Sequence, residues 1–268
     1  MRDLTRTRKQ LTREIVRHTQ RIQAVLEEAN IKLASVITEI LGASGRRILK
    51  AIVAGETDAG VLAGRGGPRL AATREELTAA LTGRIRDHHR FLIGQHLKTI
   101  EQIEATIGEF DARIEAALSP FGDAFERLQE IPGLGKVSAK IVIAEIGADM
   151  SQFPSSDHLI SSSSCRRHAS GMRAGLCPRL DESAGKRRSK RIRKGAPWLK
   201  PVLVQSALSA SRKKNSSFRT RYHGLKGRVG QKKAVIAVAA NLLRVIYHML
   251  KDGTCYQEMA LRRRERLC

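Results

Sequence analysis

The chain has 268 residues, 41% hydrophobic but only 4% aromatic, enough for one large or two modest domains with a mostly aliphatic core. Its 49 Lys or Arg outnumber 26 Asp or Glu, giving a formal net charge of +23 and a pI near 10.8, which points to a polyanionic partner. The polar start, Met1 to Gln10, excludes a secretory signal there, and no apolar run approaches the roughly 18 residues that span a bilayer. The four cysteines, Cys165, Cys177, Cys255 and Cys268, form no CxxC pair, so reduced thiols are expected and a zinc site is not.

Met1 to Leu41 is predicted as one long helix. Leu4, Leu11 and Val25 share one heptad position, and Ile15, Ile22, Ala29 and Val36 another. A break follows at Gly42-Ala43-Ser44-Gly45, then a short helix from Arg46 to Val53. Gly55 to Pro68 is loop-like, and Thr73 with Glu76 forms a capping box at the next helix start. Arg84 to Leu118 is a second long helix, with Ile93, Leu97, Ile100, Ile103, Ile107, Phe110 and Ile114 at steps of three and four. The two long helices are expected to pack as an antiparallel coiled-coil hairpin or to pair between subunits. His88 and His89 are adjacent, so they are expected on different helix faces and not around one metal ion.

Leu128 to Gly147 has the form of a helix-hairpin-helix, turning at Pro132-Gly133-Leu134-Gly135. Gly133 and Gly135 would let backbone N–H groups approach a phosphate at the second helix's N-terminus, beside Lys136 and Lys140. The other reading of this hairpin is packing alone. Ser161 to Arg173 is irregular. Pro197 and Trp198 open a helix to about Ser211. A basic linker with interleaved Phe218 and Tyr222 runs from Arg212 to Lys233, an apolar helix from Ala234 to Leu250, and a stop at Gly253. The regions are therefore residues 1–120 (coiled coil), 121–260 (hairpin-containing domain) and 261–268 (basic tail).

The positive charge is concentrated. Cys165 to Lys233 holds 21 Lys or Arg and only Asp181 and Glu182 as acids, a net +19 of the total +23. Within it, Ser183-Ala184-Gly185 precedes seven cations, Lys186, Arg187, Arg188, Lys190, Arg191, Arg193 and Lys194. A hydroxyl and a glycine beside such charge suit a phosphate, and counterion release would drive this stretch onto nucleic acid. A serine hydroxyl attacks poorly without activation, and no base is evident nearby, so a turn residue in a solvated loop is the competing reading of Ser183.

These segments resemble the C-terminal part of bacterial insertion-sequence transposases of the one-ten type. The motifs are Ile131-Pro132-Gly133-Leu134-Gly135, Ala144-Glu145-Ile146-Gly147, Phe153-Pro154-Ser155, Ala174-Gly175-Leu176-Cys177-Pro178, Glu182 to Arg188, Arg193-Lys194-Gly195 and Tyr247 to Leu250 with Asp252-Gly253-Thr254. The resemblance implies a DNA recombinase in which Ser183 becomes joined to a DNA phosphate, with Ser189 the weaker match. It further implies an element-encoded guide RNA; a bacterial cytoplasmic location at the nucleoid is expected, the heptads add an expected homo-oligomer through the coiled coil, and the lack of a long apolar run an expectation of no membrane.

The family's other catalytic part is an N-terminal RNase-H-like domain whose carboxylates hold divalent metal, magnesium. The coiled-coil pattern begins at once after Asp3, so the expectation is a truncated copy without that domain, with no cofactor of its own. Ser162 to Arg173 departs from the family pattern. The alternative function is a non-catalytic helix-hairpin-helix protein that binds nucleic acid. The expected fold is mainly α: a coiled-coil hairpin followed by a helical DNA-binding and recombinase domain.

Overall fold

A computed structural model describes residues 1–68, 70–160, 174, 176, 181–183, 186–189 and 197–256, with 181–183 and 186–189 described by backbone alone. The protein is mainly α-helical, as expected, and divides into two compact units. One is Thr7–Arg113; the other combines Met1–Arg6 with Ile114–Cys268.

The first unit contains most of α1 (Arg2–Glu28), then α2 (Leu33–Val36), α3 (Ala43–Val53), α4 (Ala59–Gly64), α5 (Arg74–Leu81) and most of α6 (Asp87–Leu118). The helix expected to reach Leu41 stops at Glu28. Asn30 turns left-handed (φ 60°), its N–H bonds Glu27 O, and the Ile31 N–H bonds Leu26 O, a Schellman stop that leaves Leu26 and Ile31 both buried. Gly55 to Pro68, expected as loop, holds α4, because the Asp58 carboxylate accepts from the Val61 N–H at 2.7 Å and caps it. The Thr73–Glu76 capping box of α5 forms as expected, both hydrogen bonds being present.

Within this unit α1 and α6 run antiparallel. Arg8 pairs with Asp111 at one end, and His18 meets His96 farther along. They are not a simple hairpin, since α2 to α5 are inserted between them. One core joins Ile22, Val25 and Leu26 of α1 to Ile93, Leu97 and Ile100 of α6 and to Ile48, Leu49 and Ile52 of α3. Hydrophobic burial of these aliphatic faces stabilises the unit.

The second unit contains α7 (Gly122–Gln129), α8 (Lys136–Ile146), α9 (Ser156–Ile160), a two-stranded antiparallel hairpin of β1 (Asp181–Ser183) and β2 (Lys186–Ser189), then α10 (Leu199–Arg212), α11 (Ser217–Val229) and α12 (Gln231–Asp252). The basic stretch expected as a linker is largely α11, capped by Ser216, whose side chain accepts from the Phe218 N–H. α12 is the central helix, packed on α7, α9, α10 and α11, and ends where Gly253 adopts φ 64°. By length and composition α12 could cross a membrane, contrary to the reading that no run was long enough; 61% of its most apolar window is buried in the core. That packing accounts for its apolarity.

Candidate nucleic-acid interface

Ser183 ends β1. The register pairs Ser183 with Lys186, Glu182 with Arg187 and Asp181 with Ser189, leaving Arg188 as an extra residue on β2. The register irregularity between Asp181 and Glu182 keeps Ser189 opposite Asp181. Lys190, Arg191, Arg193 and Lys194, together with Ser162 to Arg173, lie outside the described residues.

The turn between α7 and α8 is built by packing. Gly133 has φ 85°, and a Cβ there would sit 2.4 Å from Ser206 O and 2.5 Å from Ala210 N on α10. A glycine is therefore required by close approach to a neighbouring helix, whatever else the turn does. A Cβ on Gly135, the residue preceding α8, would meet nothing within 4 Å. Lys136 is exposed at the start of α8. Lys140 donates to Glu115 Oε1 at 2.8 Å, so its charge is partly answered from α6.

Glu145, in the Ala-Glu-Ile-Gly motif, is 2% exposed and ionically paired. Arg6 Nε and Nη2 reach its two carboxylate oxygens at 2.8 Å each, and Arg2 Nη2 donates to its backbone O at 3.2 Å. The Glu145 hydrogen bond is the main reason the Arg6 guanidinium is raised above its usual pKa. Arg6 also lies over the Trp198 ring, 5.9 Å from its centroid. Nothing local in the sequence signalled this cluster, because its partners are far apart in the chain.

Many residues that carried the resemblance form the core. Ile131, Leu134, Ile146, Ala174, Leu176, Tyr247 and Met249 are all buried, and the Tyr247 hydroxyl donates to Phe153 O at 3.0 Å, tying two motifs together.

Arg212 to Lys233 contains nine Lys or Arg and no acid. Phe218 and Tyr222, read above as interleaved with the cations, are instead buried on the inner face of α11 with Leu225 partly so. The outer face, at helical spacing, carries Thr220, Arg221, Gly224, Gly227 and Arg228, all exposed. Beside α11, a cleft of about 330 Å³ is lined by Arg212, Arg219, His223 and Gln231 among others.

His88 and His89, expected to diverge, have ring centroids 3.9 Å apart, and both lie with Glu28 in a trio whose ligand atoms fall within 4.8 Å of one another. The surroundings argue against a cation. His89 Nδ1 accepts from the Arg86 N–H at 3.2 Å, doing for α6 what a capping-box side chain does. Burial is the first cause holding its pKa below the usual value, the His88 charge the second. Two imidazoles at the positive end of a helix also do not suit magnesium, which takes oxygen ligands.

A helical unit with a serine-ended basic hairpin, a glycine turn and a cation-rich outer helix has the make-up of a protein that handles DNA. Residues 125–223, within the second unit, match the family described as Transposase IS116/IS110/IS902 family, so this segment is similar to a domain of DNA transposition. No curated protein matches the chain.

Proposed function

We propose that this chain binds DNA and, only when complemented by a metal-holding carboxylate domain, joins one strand to itself through Ser183, as the strand-attachment part of an insertion-sequence transposase. The observation that carries the reading is the register of the basic hairpin, which seats Ser183 opposite Lys186 inside a matched transposase domain. In the attachment step the Ser183 oxygen forms a bond to a backbone phosphorus. The bond from that phosphorus to one sugar oxygen breaks, and the sugar oxygen leaves as a hydroxyl that ends with the serine proton. Lys186, Arg187 and Arg188 would offset charge on the non-bridging phosphate oxygens. Gly135 and Lys136 at the start of α8 would hold a neighbouring phosphate, with Gly133 setting the turn. A guide RNA, self-association through the long helices and magnesium on a carboxylate domain complete the reading.

The test is a covalent DNA-attachment assay on the chain alone and on the chain supplemented with a carboxylate domain of the same family, guide RNA and magnesium. Attachment that disappears in Ser183→Ala supports the reading. Attachment that survives Ser183→Ala but disappears in Ser189→Ala moves the nucleophile to Ser189. DNA binding with no adduct under any condition leaves the non-catalytic nucleic-acid binder instead.

A further inference from the structure

We infer that the outer face of α11 is a docking surface for the sugar–phosphate backbone of duplex DNA, separate from the serine hairpin. The inference rests on the proposal that the domain handles DNA, and it names a contact that the hairpin reading does not supply. The charge carries it. Arg221 and Arg228 stand on one exposed stripe, seven residues and so about 10 Å apart along the axis. Neither makes an ion pair among the described residues, and no acid occurs from Arg212 to Lys233 to answer them. Arg212 and Arg219 extend the positive surface into the adjoining cleft.

The placement of the aromatics selects the occupant. Single strands are held largely by stacking bases on exposed rings. Here Phe218 is 0% and Tyr222 8% exposed, both turned into the core, so the outer face offers cations and a hydroxyl without a stacking platform. That chemistry fits a duplex backbone, where charge contacts position the protein without reading sequence. Gly224 and Gly227 lie on the same stripe, and a Cβ on either would meet nothing within 4 Å. Their smallness answers no packing need within the described residues, although glycine weakens a helix interior. On a docking face it would let the backbone come close between the two arginines.

The experiment measures binding of the full chain to duplex DNA of arbitrary sequence and to single-stranded RNA across a salt series, with thermal unfolding alongside. Arg221→Gln with Arg228→Gln is expected to make the duplex log–log salt slope shallower by about 1.8, from roughly 0.9 per phosphate released, with unchanged unfolding. Gly224→Ala with Gly227→Ala is expected to raise the unfolding temperature yet weaken duplex binding at least tenfold, a combination that a purely structural role would not give. Duplex binding by both variants equal to the parent's overturns the inference. So does absence of parent duplex binding, or a loss confined to RNA. The Ser183 adduct is scored separately on the same proteins, so the docking surface and the nucleophile can fail independently.

Discussion

Arg6 grips Glu145 with both arms of its guanidinium, Nε and Nη2 each 2.8 Å from a carboxylate oxygen, across 139 positions of sequence. Glu145 is buried, so its charge depends on that fork and on Arg2. Breaking a buried pair by removing one partner is costly, because the other charge stays behind unanswered. Arg6→Ala is therefore expected to cost about 2–4 kcal/mol, at the lower side of the usual range because Arg6 is partly exposed. Replacing both partners, Arg6→Met with Glu145→Met, should cost less than Arg6→Ala alone. Urea unfolding of the three proteins decides it; equal stability of Arg6→Ala and the parent would show that the fork contributes nothing.

Gly133→Ala tests whether the glycine turn serves packing. The added carbon would press on the α10 backbone at a positive φ, for an expected loss of about 2–5 kcal/mol. Gly135→Ala, with open space beside it, should leave stability near the parent's and alter only nucleic-acid binding. Circular dichroism melts that rank the two substitutions the other way round would contradict the geometry.

Acid should loosen the first unit. His96 sits with its Nδ1 3.1 Å from His18 Nδ1, and its pKa is held down first by burial, then by His18 and Arg21. His89 is likewise lowered. A histidine with a depressed folded-state pKa takes up protons more readily when unfolded, so its contribution is complete above the ordinary value near 6.5 and is lost as pH falls below it. The unfolding temperature is expected to drop between pH 7 and pH 5, and less steeply in His96→Gln. A flat profile, or one unchanged by the substitution, would remove these imidazoles from the acid response.

Ile22 is fully buried between the long helices, whereas Ile15 is only partly so. Ile22→Asp places an unpaired carboxylate in that core and should cost at least ~4 kcal/mol; Ile15→Asp should cost clearly less. Light scattering on the milder variant reports self-association. A fall in mass with helicity intact would mean that α1 also pairs between copies.

The features legible in sequence were those whose cause lies within a few residues. The Thr73–Glu76 box and the Gly253 stop need only local hydrogen bonds and local φ, and both appear where expected. Heptad spacing found the burial of Ile22 and Val25 but ran past Glu28, because the two-fold end bonding at Asn30 and Ile31 leaves no mark in an apolar repeat. Asp58 could have revealed α4, had its capping role been weighed above the surrounding glycines. The Arg6–Glu145 fork and the Gly133–α10 approach were beyond reach, since each joins distant segments. In α11 the composition was read correctly as basic, yet composition has no faces. Helical spacing, applied there, would have separated Phe218 and Tyr222 from Arg221 and Arg228.

The helix at the centre of the second unit follows its partners in chain order: α7, α9, α10 and α11 are all made before α12. During synthesis the ribosome thus releases its most membrane-like segment after the helices that cover it have been made. A circular permutant that led with Gln231–Asp252 would present that segment bare to the translocation and chaperone machinery. Its yield would fall even though every contact of the finished fold were kept.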